Sequence, residues 1–432
     1  MSSMTTQADG GGGAHRAWTA TFAVLQRIGR SLMLPIAVLP AAGILLRLGQ
    51  DDLLGKDGLG WNRIAEVFAA AGGALLDNLA ILFAVGVAIG FAKKSDGSTA
   101  LAAVVGYLVF DRVSKTMFAH SSTLKDTVVQ KVQQDGALKE VIGYGLKNPT
   151  QVLGGIVVGL VVALLYQRFY RIKLPSWLAF FGGRRFVPIV SAAACLLLGV
   201  LFGLIWPTLG HWIDSFGDWL TGLGALGAGI YGIANRLLLP FGLHHILNSL
   251  IWFVFGTYND HGTAVHGEIN RYLAGDPHAG TFLSGFFPVL MFGLPGAACA
   301  IWRAAPAGKR SVVGGLMISS ALTAFVTGVT EPIEFSFMFV APLLYGIHVV
   351  LTGVSMYILA AIHAQLGFSF SAGLIDMLLN ATKSNTRHLP IIIGMGVVYF
   401  FLYFAIFYLA ITKLKLPTPG REPEDTTTPN ES

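Results

Sequence analysis

The chain has 432 residues, 54% of them hydrophobic and only 12% charged, with a mean hydropathy of +0.64. Soluble globular chains carry about a quarter charged residues, so this composition excludes a string of soluble domains and fits an all-α integral membrane protein with several spans. The formal charge of +6 does not point to nucleic acid, because no basic stripe is interleaved with aromatics; Lys and Arg gather instead in short loops and tails, as in cytoplasm-facing segments.

Residues 1–15, MSSMTTQADGGGGAH, read as a disordered Gly-rich tail with no cleavable signal. Arg27 and Arg30 then precede a first span, SLMLPIAVLPAAGILLRLG. The loop 50–62 carries Asp51, Asp52 and Asp57. Apolar stretches follow at about 67–92 and 99–118, residues 119–150 make the longest polar loop, and spans at 151–166 and 187–206 flank a basic loop, 167–186. With the N-terminus inside, the Arg27/Arg30 end, the Lys93–Lys94 turn and the basic loop all face the cytoplasm, and the acidic loop faces out.

From there the pattern is less regular. Residues 217–235 are apolar and Gly-rich, and RLLLPFGLHHILNSLIWFVFG (236–256) is interrupted at Pro240 and Gly242. After a polar stretch, 257–280, the segment 282–302 is broken at Pro288 and at Gly293–Pro295–Gly296. Apolar runs at 311–327 and 334–360 flank GVTEPIEF, and a last span covers about 389–412. Short apolar pieces broken by Gly and Pro are what re-entrant hairpins and unwound helices look like, and such backbone is tolerated at depth only when buried in protein or lining a polar cavity. The expected organisation is therefore a scaffold over 16–235, a substrate-surrounding half over 236–412 and a polar tail over 413–432.

GVTEPIEF places Glu331 and Glu334 in an apolar run whose other ionisable residue is His348. Pro332 suits the first turn of a helix and pushes Glu331 towards extended backbone. A carboxylate at such a helix start is eased by the dipole and can accept hydrogen bonds from two adjacent hydroxyls, as a sugar presents them. Glu334, one turn on, either joins it or only complements the dipole.

A second constellation is Arg236, His244, His245 and Asn248, with a new helix expected near His244 after the Pro-Phe-Gly break. A histidine there is biased neutral and can take a proton from a hydroxyl; its plain alternative is to satisfy buried carbonyls, and that of Arg236 is to snorkel. Weaker candidates are Asp77 and Asn78, the polar residues His261, His266, Glu268, Asp276 and His278, and HAQLGFSFSAG (363–373), a cavity lining or tight helix packing. Cys195 and Cys299 read as small core residues. The chain shows no metal-binding spacing, calls for no cofactor and has no Walker A sequence, so nothing in it energises transport by itself.

GVTEPIEFSFMFVAPLLYGIHVVLTG and NRLLLPFGLHHILN resemble the membrane-embedded C component of sugar permeases of the bacterial phosphoenolpyruvate-dependent phosphotransferase system, glucose superfamily, over about residues 20–421. NRLLLPFGLHHILN, HGEINRYLAGDPHAGTFLSGFFPVLMFGLPGAA and LPTPGRE look most like the N-acetylglucosamine branch, with the glucose branch next. The resemblance implies a plasma-membrane homodimer of about ten-helix protomers with two re-entrant hairpins and cytoplasmic termini. It implies a sugar phosphorylated on its 6-hydroxyl, with His244 and Glu331 as catalytic groups and Arg236, His244, His245, Asn248, Thr330, Glu331, Glu334 and Asn78 around the sugar. The phosphoryl donor expected is a separate soluble B component carrying a phosphocysteine, since neither cysteine lies in an exposed electropositive loop. The competing reading is a proton-coupled sugar symporter with a glutamate as proton carrier.

Overall fold

The computed structural model describes residues 27, 31–32, 34–35, 38–93, 95–134, 137–260 and 263–421. In chain order these form α1 (Leu39–Leu48), α2 (Asn62–Asp77), α3 (Leu79–Phe91), α4 (Gly97–Phe118), the hairpin β1–β2 (Val129–Gln134, Ala137–Ile142), α5 (Gln151–Phe169), α6 (Phe186–Gly222), α7 (Ala225–Leu238) and α8 (His244–Phe253). A second hairpin, β3–β4 (Thr257–Asp260, Thr263–His266), leads to α9 (Glu268–Leu273), α10 (Thr281–Ser284), α11 (Leu294–Ala304), α12 (Arg310–Thr327), α13 (Glu331–Phe337), α14 (Pro342–Ala361), α15 (Leu374–Asn380) and α16 (Leu389–Lys413).

Among the described residues, six helical stretches are long and apolar enough to cross a membrane: 151–169, 183–222, 281–304, 310–327, 342–361 and 389–413. The count is seven if α2 and α3, bent by 55° at their break, form one span. The chain is thus an all-α polytopic membrane protein, with fewer long apolar helices than the ten or so expected. Asp111, Arg112 and Lys115 interrupt the apolar run of α4, α7 and α8 are short, and in the first span the described helix α1 covers 10 residues, Leu39–Leu48.

Three stretches differ from the sequence expectation. The apolar run 67–92 is two helices, because Asp77 and Asn78 favour a helix end and Asn78 takes the C-cap. Residues 186–222 form one helix, α6, of 37 residues with Pro207 inside it. Leu209, Trp212, Phe216 and Trp219 continue its apolar face at helical spacing, all exposed. The 281–304 stretch stays helical through Pro288 and Gly293, absorbing the break as a π-helical turn over Pro288–Gly293.

The described chain falls into two compact units. One takes in 79–205, 238–247 and the few described residues before 38; its core is the α3–α5 pair. Here Gly155 and Gly159 let backbones touch: a Cβ on Gly155 would lie 2.0 Å from the Ala80 carbonyl oxygen and one on Gly159 2.6 Å from that of Ala84. The other unit holds 38–78, 206–237 and 248–421. In it α11 packs on α16, where a Cβ on Gly296 would meet the Phe400 carbonyl oxygen at 2.3 Å. The irregular 363–373 segment lies in this unit, with Leu366 and Phe368 buried. Buried backbone of this kind must find partners, and Asp376 accepts from the Ser369 and Ser371 N–H groups at 2.6 and 3.4 Å.

Candidate functional site

GVTEPIEF folds as a helix stop followed at once by a helix start. α12 ends at Thr327, and Gly328 caps it with φ +74°, its N–H donating to Ala324 O at 2.9 Å. Thr330 is the N-cap of α13, Glu331 its first residue, and Pro332 sits in the first turn, where no N–H is needed. The extended backbone expected at Glu331 is not what forms: Glu331 is already helical, and Thr330 before it is also in the right-handed helical region. Ser371 Oγ braces the turn by donating to Gly328 O at 2.9 Å, so the 363–373 segment supports the motif.

The two glutamates of this helix have different surroundings. Glu334 is fully buried. Arg236 Nη1 donates to its Oε1 at 2.6 Å, and Thr330 Oγ1 donates to its Oε2 at 3.1 Å. His348 Nε2 lies 2.9 Å from the same Oε1, while His348 Nδ1 is 2.9 Å from the Tyr403 hydroxyl. Tyr345 donates to the Arg236 carbonyl, and the guanidinium carbon stands 5.3 Å from the centroid of Phe286. Arg236 Nε is buried and has no hydrogen-bond partner among the described residues; such a donor is costly to leave unmet and is open to a ligand. Glu331, in contrast, is half-buried and makes no ion pair or hydrogen bond to another side chain among the described residues.

Arg236, Thr330, Glu331 and Glu334 thus share one compact unit. Asn248 belongs to it too, with its Oδ1 accepting from Tyr231 Oη at 2.8 Å and from Asn235 Nδ2. His244 and His245 belong to the other unit. They open α8 as expected, just past Gly242 at φ +70°, with their ring centroids 3.9 Å apart. Asn78 is exposed at the end of α2 and donates to Ala74 O at 2.8 Å.

The weaker candidates hold loops together. His266 Nδ1 meets Thr257 Oγ1 at 3.0 Å, and Asp276 pairs with Arg271 at 2.7 Å and accepts from the His278 N–H at 2.8 Å. Glu268 accepts from the Gly280 and Phe282 N–H groups at 2.8 and 3.2 Å. His261 lies outside the described residues. Cys195 is buried and Cys299 half-buried, in accord with core roles. Sequence reasoning noticed His348 only as an ionisable residue in the run and passed over Tyr403 and Tyr345. A buried histidine in apolar sequence was the available signal, but nothing local named its partners.

A multi-span helical protein with an arginine–carboxylate–imidazole network out of water is of the transporter class. Residues 29–353 match the family described as phosphotransferase system, EIIC. The chain is 52% identical over 426 residues to the N-acetylglucosamine-specific EIIC component of Streptomyces coelicolor, covering 98% of each. It is 47% identical over 402 residues to the N-acetylglucosamine-specific EIICBA component of Escherichia coli, 93% of this chain but 56% of that protein. A glucose-specific EIICBA component of Staphylococcus carnosus is 43% identical over 431 residues, 96% of this chain and 62% of that protein. In fold it is similar to the crystal structure of ChbC, the IIC component of an N,N'-diacetylchitobiose-specific phosphotransferase system, with a TM-score of 0.58 at 14% identity, covering 92% of this chain and 96% of that one. The chain belongs to the phosphotransferase system EIIC family.

Proposed function

We propose that this permease binds N-acetylglucosamine, carries it inward and presents its 6-hydroxyl to a separate phosphorylated B component. The observation that carries the substrate assignment is the 52% identity to an N-acetylglucosamine-specific EIIC component along 98% of both chains. The placement of Glu331, half-buried, one turn before the Glu334 that pairs with Arg236 supports the site.

In this reading Arg236 and Thr330 hold ring hydroxyls, and Glu331 or His244 holds the 6-hydroxyl. As the sugar oxygen attacks the phosphorus of the B component's phosphocysteine, the O6–P bond forms and the S–P bond breaks. The thiolate leaves, and the hydroxyl proton passes to Glu331 or His244. The protein's part is positioning and proton handling rather than covalent chemistry. We further infer a homodimer of about ten-span protomers with both termini cytoplasmic. Residues 16–235 form the scaffold, and residues 236–412 form the sugar-carrying half with its re-entrant hairpins.

The test is uptake of radiolabelled N-acetylglucosamine into a strain lacking its own permease for that sugar, with the B component supplied or omitted. Sugar phosphate formed only with the B component, and lost in Glu331→Gln, is the expected result. Free sugar accumulating without it, and collapsing with an uncoupler, would overturn the reading in favour of a symporter. Uptake of glucose alone would keep the mechanism and overturn the substrate.

A further inference from the structure

We propose that His348, backed by Tyr403, is a positioning residue that fixes the Arg236 guanidinium for sugar binding by orienting Glu334. This rests on the reading above that Arg236 contacts the sugar.

The argument begins with valence. Glu334 is fully buried, and both of its oxygens already have donors: Oε1 receives Arg236 Nη1 at 2.6 Å and faces His348 Nε2 at 2.9 Å, and Oε2 receives Thr330 Oγ1 at 3.1 Å. A carboxylate so occupied has little left to offer a sugar. Its effect on the substrate runs through the groups it holds.

The imidazole can be assigned from charge and hydrogen bonding together. Arg236 and Glu334 cancel, so a protonated His348 would add a charge to this buried pair. A neutral ring satisfies both contacts in one tautomer: Nε2–H donates to Glu334 Oε1, and Nδ1 accepts from the Tyr403 hydroxyl at 2.9 Å. The result is one hydrogen-bonded network whose donors converge on Glu334 Oε1, from Tyr403 through His348 on one side and from Arg236 on the other. It runs from Tyr403 on α16 through His348 on α14 and Glu334 on α13 to Arg236 on α7, all within one compact unit. Tyr345, on the same helix as His348, anchors the Arg236 carbonyl, so α14 holds this residue at both its side-chain partner and its backbone. The held guanidinium keeps Nε, buried and without a partner among the described residues, as a donor it can present.

The mechanical consequence is specific. With Nε2–H in place, Glu334 Oε1 is held by two donors from different helices. Without it the carboxylate can turn about its last torsion, and the arginine turns with it. The sugar is then met by a less ordered arginine, which weakens binding more than the phosphoryl transfer that follows.

The experiment measures phosphorylation of N-acetylglucosamine by the full-length protein with its phosphorylated B component, reading KM and kcat separately, and checks folded yield by gel filtration. His348→Phe keeps the ring volume without the N–H; KM is expected to rise about 10-fold with kcat within about threefold. His348→Gln keeps an amide N–H near the Nε2 position and is expected to return KM to within about threefold of wild type. Tyr403→Phe, which removes only the hydroxyl, is expected to fall between them. In an Arg236→Met background, His348→Phe should have no further effect on KM, since the two act as one unit.

A wild-type KM in His348→Phe, or an effect that simply adds to that of Arg236→Met, would overturn the proposal. If His348→Phe does not fold, His348→Gln and Tyr403→Phe decide it: Tyr403→Phe with unchanged KM, or His348→Gln as damaging in kcat as in KM, would overturn it. An inactive wild type would sink the functional reading itself, whereas an active wild type insensitive to these changes sinks the positioning role alone.

Discussion

Arg236 and Glu334, 98 residues apart in the chain, meet at 2.6 Å with Glu334 wholly and Arg236 almost wholly out of water. Two opposite charges buried together offset each other's desolvation, and the penalty appears in full when one is removed. Glu334→Gln, which leaves Arg236 facing a neutral amide, is expected to cost about 3–5 kcal/mol of stability. An Arg236→Met/Glu334→Leu double variant should recover much of that loss while phosphorylating sugar with a raised KM. Denaturant unfolding of the detergent-solubilised protein, alongside the phosphorylation assay, checks both halves; a single variant as stable as wild type would show that the pair contributes nothing to the fold.

Glu331 offers the contrasting case. It is half-buried and makes no ion pair to another side chain among the described residues, so Glu331→Gln should shift stability by no more than about 0.5 kcal/mol. Its loss as a proton acceptor is expected to lower sugar phosphorylation by about 10²–10⁴-fold. A variant that folds normally and retains turnover would remove Glu331 from the chemistry and leave His244 as the base.

How far the sequence carries can be judged from these residues. The membrane class follows from composition. The helix starts at Glu331 and His244 follow from Pro332 and from the Pro240–Gly242 break, because helix boundaries are written in local residues. The network joining Tyr403, His348, Glu334 and Arg236 was not legible. It spans separations of 98 residues between Arg236 and Glu334, and 55 between His348 and Tyr403, and no local pattern encodes which distant helix faces which. The continuity of α6 through Pro207 was missed because proline reads locally as a stop, although the apolar spacing beyond it stays helical. The break at Asn78 was missed for the opposite reason: the surrounding run is apolar enough to read as one span.

The glycine seam between α3 and α5 gives a prediction about packing. Gly155→Val would place a Cβ 2.0 Å from the Ala80 carbonyl oxygen, a backbone atom that cannot swing aside. Separation of the helices should cost about 1–3 kcal/mol, the usual penalty of overpacking, and lower the midpoint of thermal unfolding. Gly73→Ala, within α2 and with nothing inside 4 Å of the added carbon, is the control. It should be neutral or raise stability by about 0.5–1 kcal/mol, because alanine loses less backbone freedom in a helix. Equal effects at the two sites would mean that the close approach does not hold the unit together.

Asp96 links charge to stability outside the spans. It is the N-cap of α4, accepting from the Ser98 N–H at 2.9 Å and receiving Arg184 at 2.7 Å, while its own N–H donates to Thr99 Oγ1 at 3.3 Å. The Ser98 hydroxyl first, with help from the Ser98 backbone N–H and Arg184, holds its carboxyl below the ordinary value of 3.8 despite partial desolvation. A depressed carboxylate binds its proton more weakly when folded than when unfolded, so its contribution is complete above 3.8 and fades as pH falls through the lowered folded value. Asp96→Asn keeps the capping shape and removes only the charge. At pH 7 it should lose about 0.3–1 kcal/mol, the usual worth of an anion at an exposed helix N-terminus. The difference from wild type should stay level from neutral pH down to about pH 5 and close as the wild-type carboxyl protonates. Paired unfolding curves across that range check the sign: a difference that persists unchanged at the acid end would assign the effect to the shape of the cap rather than to its charge.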